Sequence, residues 1–208
     1  MKLTDMTLTA FTDVLASEAP APGGGSTAAL AGSLGAALTA MVCALTCGKK
    51  KYAEYALRVG RVQKRALDLQ KALIDAVDSD TRAFKLLNAA YQLPKETTEE
   101  KATRSEAIQR GLISCIESPL HIMELIAEGL TLVEELAQGF NNSTASDLGV
   151  SVLMLKSALL GAWLNVRINL GGLEDAGIVE TYKNCGQTLL DYSLSLADEL
   201  YAKIDGLL

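Results

Sequence analysis

An all-α protein, a single-domain bundle of about six to nine helices, is the fold the sequence predicts. Two observations carry this. Hydrophobic residues make up 49% of the 208 residues but aromatics only 5%, so the core must be Leu, Ala, Val and Ile, which suits closely packed helices. Apolar residues recur at helical spacing along most of the chain, while only four prolines interrupt it and β-branched alternation is scarce. The length fits one domain, 1–208, large enough to bury a core without staples, and no repeat, low-complexity segment or linker divides it.

Each element has its own local cause. Thr7 to about Ser17 is a short helix, with Leu8, Phe11, Val14 and Leu15 on one face. Two prolines and three glycines make Glu18–Gly25 a turn. Ser26 is the expected N-cap of a second helix that runs to about Cys47, where Gly48 stops it. A long helix from about Ala53 to Tyr91 carries an inner stripe through Ala66, Leu69, Leu73, Ala76 or Val77, Asp80, Phe84 and Leu87, and Pro94 ends the segment. Thr97 and Glu100 then form a capping box. The helix behind it runs to about Glu117, and Ser118-Pro119 is either a kink or a new N-terminus before the pattern resumes from Leu120 to Leu136. After a polar loop over 139–145, Ser146-Asp147 opens a further helix to about Asn169. Its stripe reads Asp147, Val150, Met154, Ala158, Gly161, Asn165 and Ile168. Gly171-Gly172 breaks it, and a last amphipathic helix covers about Ala176 to Leu208.

Composition narrows the function. The formal charge of −6 argues against a nucleic-acid binder. No cationic segment with a short apolar core starts the chain, so the expected location is cytoplasmic. Cys43, Cys47, Cys115 and Cys185 form no CxxC pair and read as reduced, mostly buried thiols. The lone His121 builds no histidine-rich metal site and reads as a surface or packing residue. From Gly23 to Gly48 there is no charged residue, which invites a membrane span. The stretch is rich in Gly, Ala, Ser and Thr, however, and no second comparable span is evident, so a tight soluble or intersubunit helix contact is the better expectation and no membrane partner is expected.

Three features can carry chemistry. Pro22-Gly23-Gly24-Gly25-Ser26 precedes a helix. Glycines let backbone amides approach a ligand, and the helix N-terminus favours an anion or carbonyl; close helix packing explains the same residues. Lys49-Lys50-Lys51 follow the other end of that helix. The helix dipole favours cations there, and an acidic substrate such as a polycarboxylate fits them equally well. Polar residues also fall on apolar faces: Asp80, Asp147 and the pair Asn165 and Asn169, four apart on one face. A carboxylate on an apolar face must find a partner or shift its pKa, so Asp80 is the leading candidate for acid–base work. Asp147 serves equally well as a simple cap.

Taken in order, APGGGSTAALAGSLGAAL, LTCGKKKY, VDSDTRAF, LPKETTEEKATR, ESPL, SDLGV and LNVRINL resemble the cyclodeaminase/cyclohydrolase family of folate enzymes over most of the chain. The family includes the C-terminal domain of formiminotransferase-cyclodeaminase and stand-alone methenyltetrahydrofolate cyclohydrolases; the formimino-transferring domain has no counterpart in this sequence. The resemblance implies an all-helical fold, a homodimer or larger dimer-based assembly, and a folate site with no metal or tightly held cofactor. The implied substrate is a tetrahydrofolate derivative, with or without a polyglutamate tail. The implied reaction is opening of 5,10-methenyltetrahydrofolate to 10-formyltetrahydrofolate, with ammonia-releasing closure of 5-formiminotetrahydrofolate as the alternative. In this reading Asp80, Asp147 and Lys50 are catalytic. Pro22, Gly23, Gly24, Gly25, Ser26, Lys49, Lys51, Asn165 and Asn169 bind substrate. A non-catalytic scaffold would be marked by loss of Asp80 or the lysines, and both are present.

Overall fold

A computed structural model describes residues 2–208. Six α-helices account for most of them: α1 (Leu8–Leu15), α2 (Gly24–Thr46), α3 (Ala56–Tyr91), α4 (Thr98–Leu136), α5 (Ala145–Leu170) and α6 (Ala176–Asp205). Short 3-10 turns at Leu3–Asp5, Lys50–Tyr55 and Asn142–Thr144 complete the path, and no strand occurs among the described residues. The expected all-α bundle is the fold observed.

The helices share one main core, and a smaller cluster of Ala83, Leu87, Leu112 and Cys115 joins α3 to α4. α2 packs between α3 and α5, α4 lies behind that pair against α3 and α5, and α6 closes the side of α4 and α5. Small residues set the spacing. A Cβ on Gly32 would stand 3.3 Å from Leu73, and one on Gly35 2.8 Å from Leu155, so these glycines let α2 sink against α3 and α5. Thr39 and Ser151 join α2 to α5 at 2.8 Å, and the Ser151 hydroxyl donates to the Gly35 carbonyl at 2.7 Å. The two helices run antiparallel, since Gly24 meets Asn165 while Asn141, just before α5, donates to the Leu45 carbonyl and the Thr46 hydroxyl.

Several local expectations hold. Thr97 and Glu100 form the capping box of α4, and Gly48 takes a φ of 76°, the left-handed conformation that ends α2 where a side chain would be strained. Ser118-Pro119 begins no new helix: α4 continues through Pro119 because Ile116, Leu120 and Met123 around it are buried, and their packing outweighs one lost backbone bond. His121 is a surface residue whose Nδ1 lies 3.2 Å from Glu124.

Four expectations need correction. Ser26 is not the N-cap. Gly23 holds that position and accepts from the Thr27 amide, while Ser26 lies buried inside the first turn. Only two of the four cysteines, Cys43 and Cys115, are buried; Cys47 and Cys185 are exposed. A second apolar span does exist. Gly24–Thr46 and Asn142–Leu170 are both long and apolar enough to cross a membrane, with mean hydropathies of 1.9 and 1.5. The stripe expected on α5 is not its inner face: only Ala158 of it is buried. Leu148, Val152, Leu155, Leu159, Ala162 and Val166 form the inner face, while Val150 and Ile168 are exposed. A helix that is apolar all round has no periodicity to distinguish its two faces.

Candidate active site

The two acids of VDSDTRAF are separated by two positions on α3 and so point in different directions. Asp78 is spent on the N-terminal segment, accepting from the Leu3 amide and the Thr4 hydroxyl, both at 2.8 Å. Asp80 turns instead to the N-terminus of α2. The Ser26 hydroxyl stands 2.9 Å from the Val77 carbonyl, 3.0 Å from Asp80 Oδ2 and 3.1 Å from the Thr81 hydroxyl. The fit is close: a Cβ on Gly25 would lie 2.1 Å from Asp80 Oδ1, so any larger residue there displaces the carboxylate. Burial pushes the Asp80 carboxyl above its ordinary range, and the hydroxyl and amide of Ser26 offset part of that rise. The first backbone amides of α2 have no intrahelical partner, so they surround this carboxylate with donors and a positive helix end.

Asp80 lines a cavity of about 330 Å³ together with Gly23, Gly24, Gly25, Asn165 and Asn169. Both asparagines are braced through their side-chain amides. Asn165 Nδ2 donates to the Gly161 carbonyl at 2.8 Å, and Asn169 Nδ2 donates to the carbonyls of Cys115 and Asn165 at 3.1 and 2.8 Å. Each keeps its Oδ1 as an acceptor. The site therefore offers backbone donors on one wall, amide acceptors on another, and one carboxylate between them.

Sequence reasoning missed Thr81, Phe84, Cys115 and Ile168 as parts of this lining. Phe84 was assigned to the inner stripe but is 39% exposed at the cavity. Burial first, and the Asp80 charge second, hold the Cys115 thiol up at about 11. It is thus a neutral thiol at pH 7 and a poor nucleophile. Its only sequence signal was a cysteine on the apolar face of α4, which does not distinguish packing from lining.

The other predicted residues stand elsewhere. Pro22 is buried behind the turn and Ser26 behind Asp80, so neither lines the cavity. Lys49, Lys50 and Lys51 lie at the far end of α2, whose 23 residues put its two ends roughly 35 Å apart. There Lys49 and Lys50 border a separate cavity of about 210 Å³ with Cys47, Gly48 and Tyr52. The Tyr52 hydroxyl accepts from the Asn142 amide at 3.3 Å, and the Lys51 ammonium sits 5.4 Å from the Tyr52 ring centre. Asp147 belongs to this end as well, in the first turn of α5 and roughly 27 Å along its axis from Asn165. A single chain thus carries two clusters of candidate residues, one at each end of the α2/α5 pair.

An all-helical bundle with one poised carboxylate facing a glycine-rich helix start defines a class of protein suited to proton transfer on a bound small molecule. Comparison with known proteins makes the assignment narrower. Residues 7–187 match the family model described as formiminotransferase-cyclodeaminase, and the chain belongs to that family. It is 39% identical to a methenyltetrahydrofolate cyclohydrolase of Methylorubrum extorquens over 198 residues, covering 95% of both chains. It is 37% identical over 173 residues to the formimidoyltransferase-cyclodeaminase of Rattus norvegicus, where the match spans 83% of this chain but 32% of that one. The fold matches a crystal structure of formiminotetrahydrofolate cyclodeaminase from Thermotoga maritima with a TM-score of 0.83 at 23% identity, covering 100% of this chain and 98% of that chain.

Proposed function

We propose that this chain is a folate one-carbon enzyme that interconverts 5,10-methenyltetrahydrofolate and 10-formyltetrahydrofolate by reversible hydrolysis. The observation that carries the reading is Asp80, held half-buried against the free amides of α2 in a cavity with no other carboxylate in its lining. The methenyl carbon bridges two nitrogens and shares their positive charge, so a carboxylate beside it stabilises the bound cation. Asp80 takes a proton from water as the oxygen–carbon bond forms. The carbon–N5 bond then breaks and N5 receives that proton. The remaining hydroxyl proton leaves to solvent as the formyl carbonyl appears, so one water is consumed and one proton released. The α2 amides and the oxygens of Asn165 and Asn169 orient the pterin end.

Water addition and proton transfer are chemistry that side chains supply, and the reading calls for no cofactor. The protein acts in the cytoplasm as a homodimer, engages no nucleic acid or membrane, and uses the lysines for the glutamate tail of its folate. The match along 95% of the cyclohydrolase of Methylorubrum extorquens favours hydrolysis. The second reading, closure of 5-formiminotetrahydrofolate with loss of ammonia, draws on the cyclodeaminase relatives and uses the same carbon between the same two nitrogens.

The test is to incubate purified protein with 5,10-methenyltetrahydrofolate and follow its near-ultraviolet absorbance against buffer, then repeat the assay with 5-formiminotetrahydrofolate. Faster loss of the methenyl signal is expected. Acceleration only with the formimino substrate selects the second reading, and none with either overturns both.

A further inference from the structure

Three phenylalanines occur in the chain, and two are core residues: Phe11 and Phe140 are 7% and 3% exposed. Phe84 is 39% exposed and lines the Asp80 cavity. The cause lies in where α2 begins. α2 runs antiparallel to α3, since the Ser33 hydroxyl donates to the Gln70 carbonyl, Gly32 meets Leu73 and Gly25 meets Asp80. Phe84 stands one turn, about 6 Å, beyond Asp80, where α2 no longer covers α3. Ala83 and Leu87 pack this stretch of α3 against Leu112 and Cys115 of α4, which leaves Phe84 turned to the cavity. Ile168 lines the same cavity from α5, and α2 separates α3 from α5, so the two apolar side chains flank it from opposite sides. Asp80, Asn165 and Asn169 lie between them, half-buried and polar.

We infer that Phe84 is the stacking platform for the pterin ring and thereby a specificity-determining residue of this site. The inference rests on the proposed folate reading for the identity of the ring.

Two arguments select the pterin over the aminobenzoyl ring of a folate. The first is the rim. A pterin carries N–H donors, ring nitrogens and a carbonyl around its edge and two bare π-faces, which matches polar groups set between apolar walls. An aminobenzoyl ring has no heteroatom in its ring and would leave the Asn165 and Asn169 oxygens without ring partners. The second is reach. Asp80 and Phe84 share one face of α3 at a four-residue spacing, so a ring lying on Phe84 has its rim beside the carboxylate. The reacting carbon is bonded to N5, an atom of the pterin rim. Stacking on Phe84 thus fixes the plane in which that carbon meets Asp80.

Two measurements test this. The first needs no turnover. Saturation-transfer NMR with 6-hydroxymethylpterin, which has the ring and no tail, is expected to show transfer from wild-type protein and to lose most of it in Phe84→Ala. Transfer to p-aminobenzoylglutamate, recorded alongside, is expected not to depend on Phe84. The inference is overturned by absence of transfer to the pterin from wild type, by equal transfer from the variant, or by loss of the p-aminobenzoylglutamate signal instead. The second measurement is kinetic, on 5,10-methenyltetrahydrofolate. Phe84→Ala is expected to raise KM about 10- to 100-fold, more than it lowers kcat, as for a heterocycle that loses an aromatic platform. Its melting temperature should change little, since the ring is not packed in the core. Phe84→Leu keeps the apolar bulk, removes the ring face and is expected to raise KM about 2- to 10-fold. A wild-type KM in Phe84→Leu means that bulk alone suffices and overturns the stacking. An unchanged KM in folded Phe84→Ala overturns the inference and leaves the folate reading standing. Pterin binding that depends on Phe84, in a protein without turnover, removes the proposed reaction and leaves the inference standing.

Discussion

The two ends of α2 are closed by opposite means. At its start, the absence of a side chain on Gly25 lets a carboxylate from α3 rest against the backbone, and the same absence on Gly24 lets Asn165 of α5 approach it. At its finish, Gly48 turns the chain in a left-handed step and Lys49, Lys50 and Lys51 project into solvent. The start is a rigid site: its donors are backbone amides, its acceptors are braced asparagines, and its one acid is half-buried. The finish is an exposed cationic cluster, with long side chains beside an aromatic ring. The contrast suits a ligand with a reactive ring system at one end and flexible carboxylates at the other. On the proposed folate reading, the start supplies turnover and the finish affinity.

The sharpest way to break this division is Asp80→Asn. The variant keeps the shape and removes the base, and a fall in kcat of about 10²- to 10⁴-fold is expected in the absorbance assay. Its stability should not fall. The folded carboxyl is raised, so its contribution is favourable below the unfolded pKa and is lost as pH rises through the folded one. At pH 7 the asparagine variant is therefore expected to melt at or above wild type, with the gap closing as pH drops. A lower melting point at pH 7 would show that Asp80 is structural.

Gly25→Ala should act at the same end through geometry. A methyl 2.1 Å from Asp80 Oδ1 forces the carboxylate aside, with about 10²-fold lost in kcat and about 1–3 kcal/mol lost in stability. Normal turnover in a folded Gly25→Ala protein would mean that the carboxylate position does not matter. At the other end, replacing all three lysines by alanine should raise KM roughly 10- to 100-fold with kcat nearly unchanged, as expected for one or two charged hydrogen bonds. A matching fall in kcat would erase the distinction between the ends. The smallest effect is the pH profile. The acid limb of kcat/KM should have its midpoint above the ordinary carboxylate range and disappear in Asp80→Asn.

Much of the fold was legible in the chain. Glycine, proline and the Thr97–Glu100 pair marked the helix ends, because each acts on its own few backbone groups. Asp80 was legible because a carboxylate on an amphipathic stripe stands out against Leu69, Leu73 and Val77. The cap of α2 was misplaced by three residues, since Gly23 caps with backbone alone while Ser26 offers a hydroxyl that the tertiary structure claims for Asp80 and Val77. The inner face of α5 was not legible, because Leu and Val occupy both sides of that helix and periodicity carries no sign.

By itself, then, the sequence determined the helices, most of their ends, the acid on α3 and the family resemblance, all of which depend on residue type and local spacing. The tertiary structure alone decided which groups meet. Helix length, the packing of α2 on α3 and its antiparallel packing on α5 join Gly24, Asp80, Asn165 and Asn169 at one end, and leave Lys49–Lys51 and Asp147 at the other. Neighbours in sequence at the two ends of a rigid rod stay a rod's length apart. Residues far apart in sequence converge wherever close packing brings their helices together.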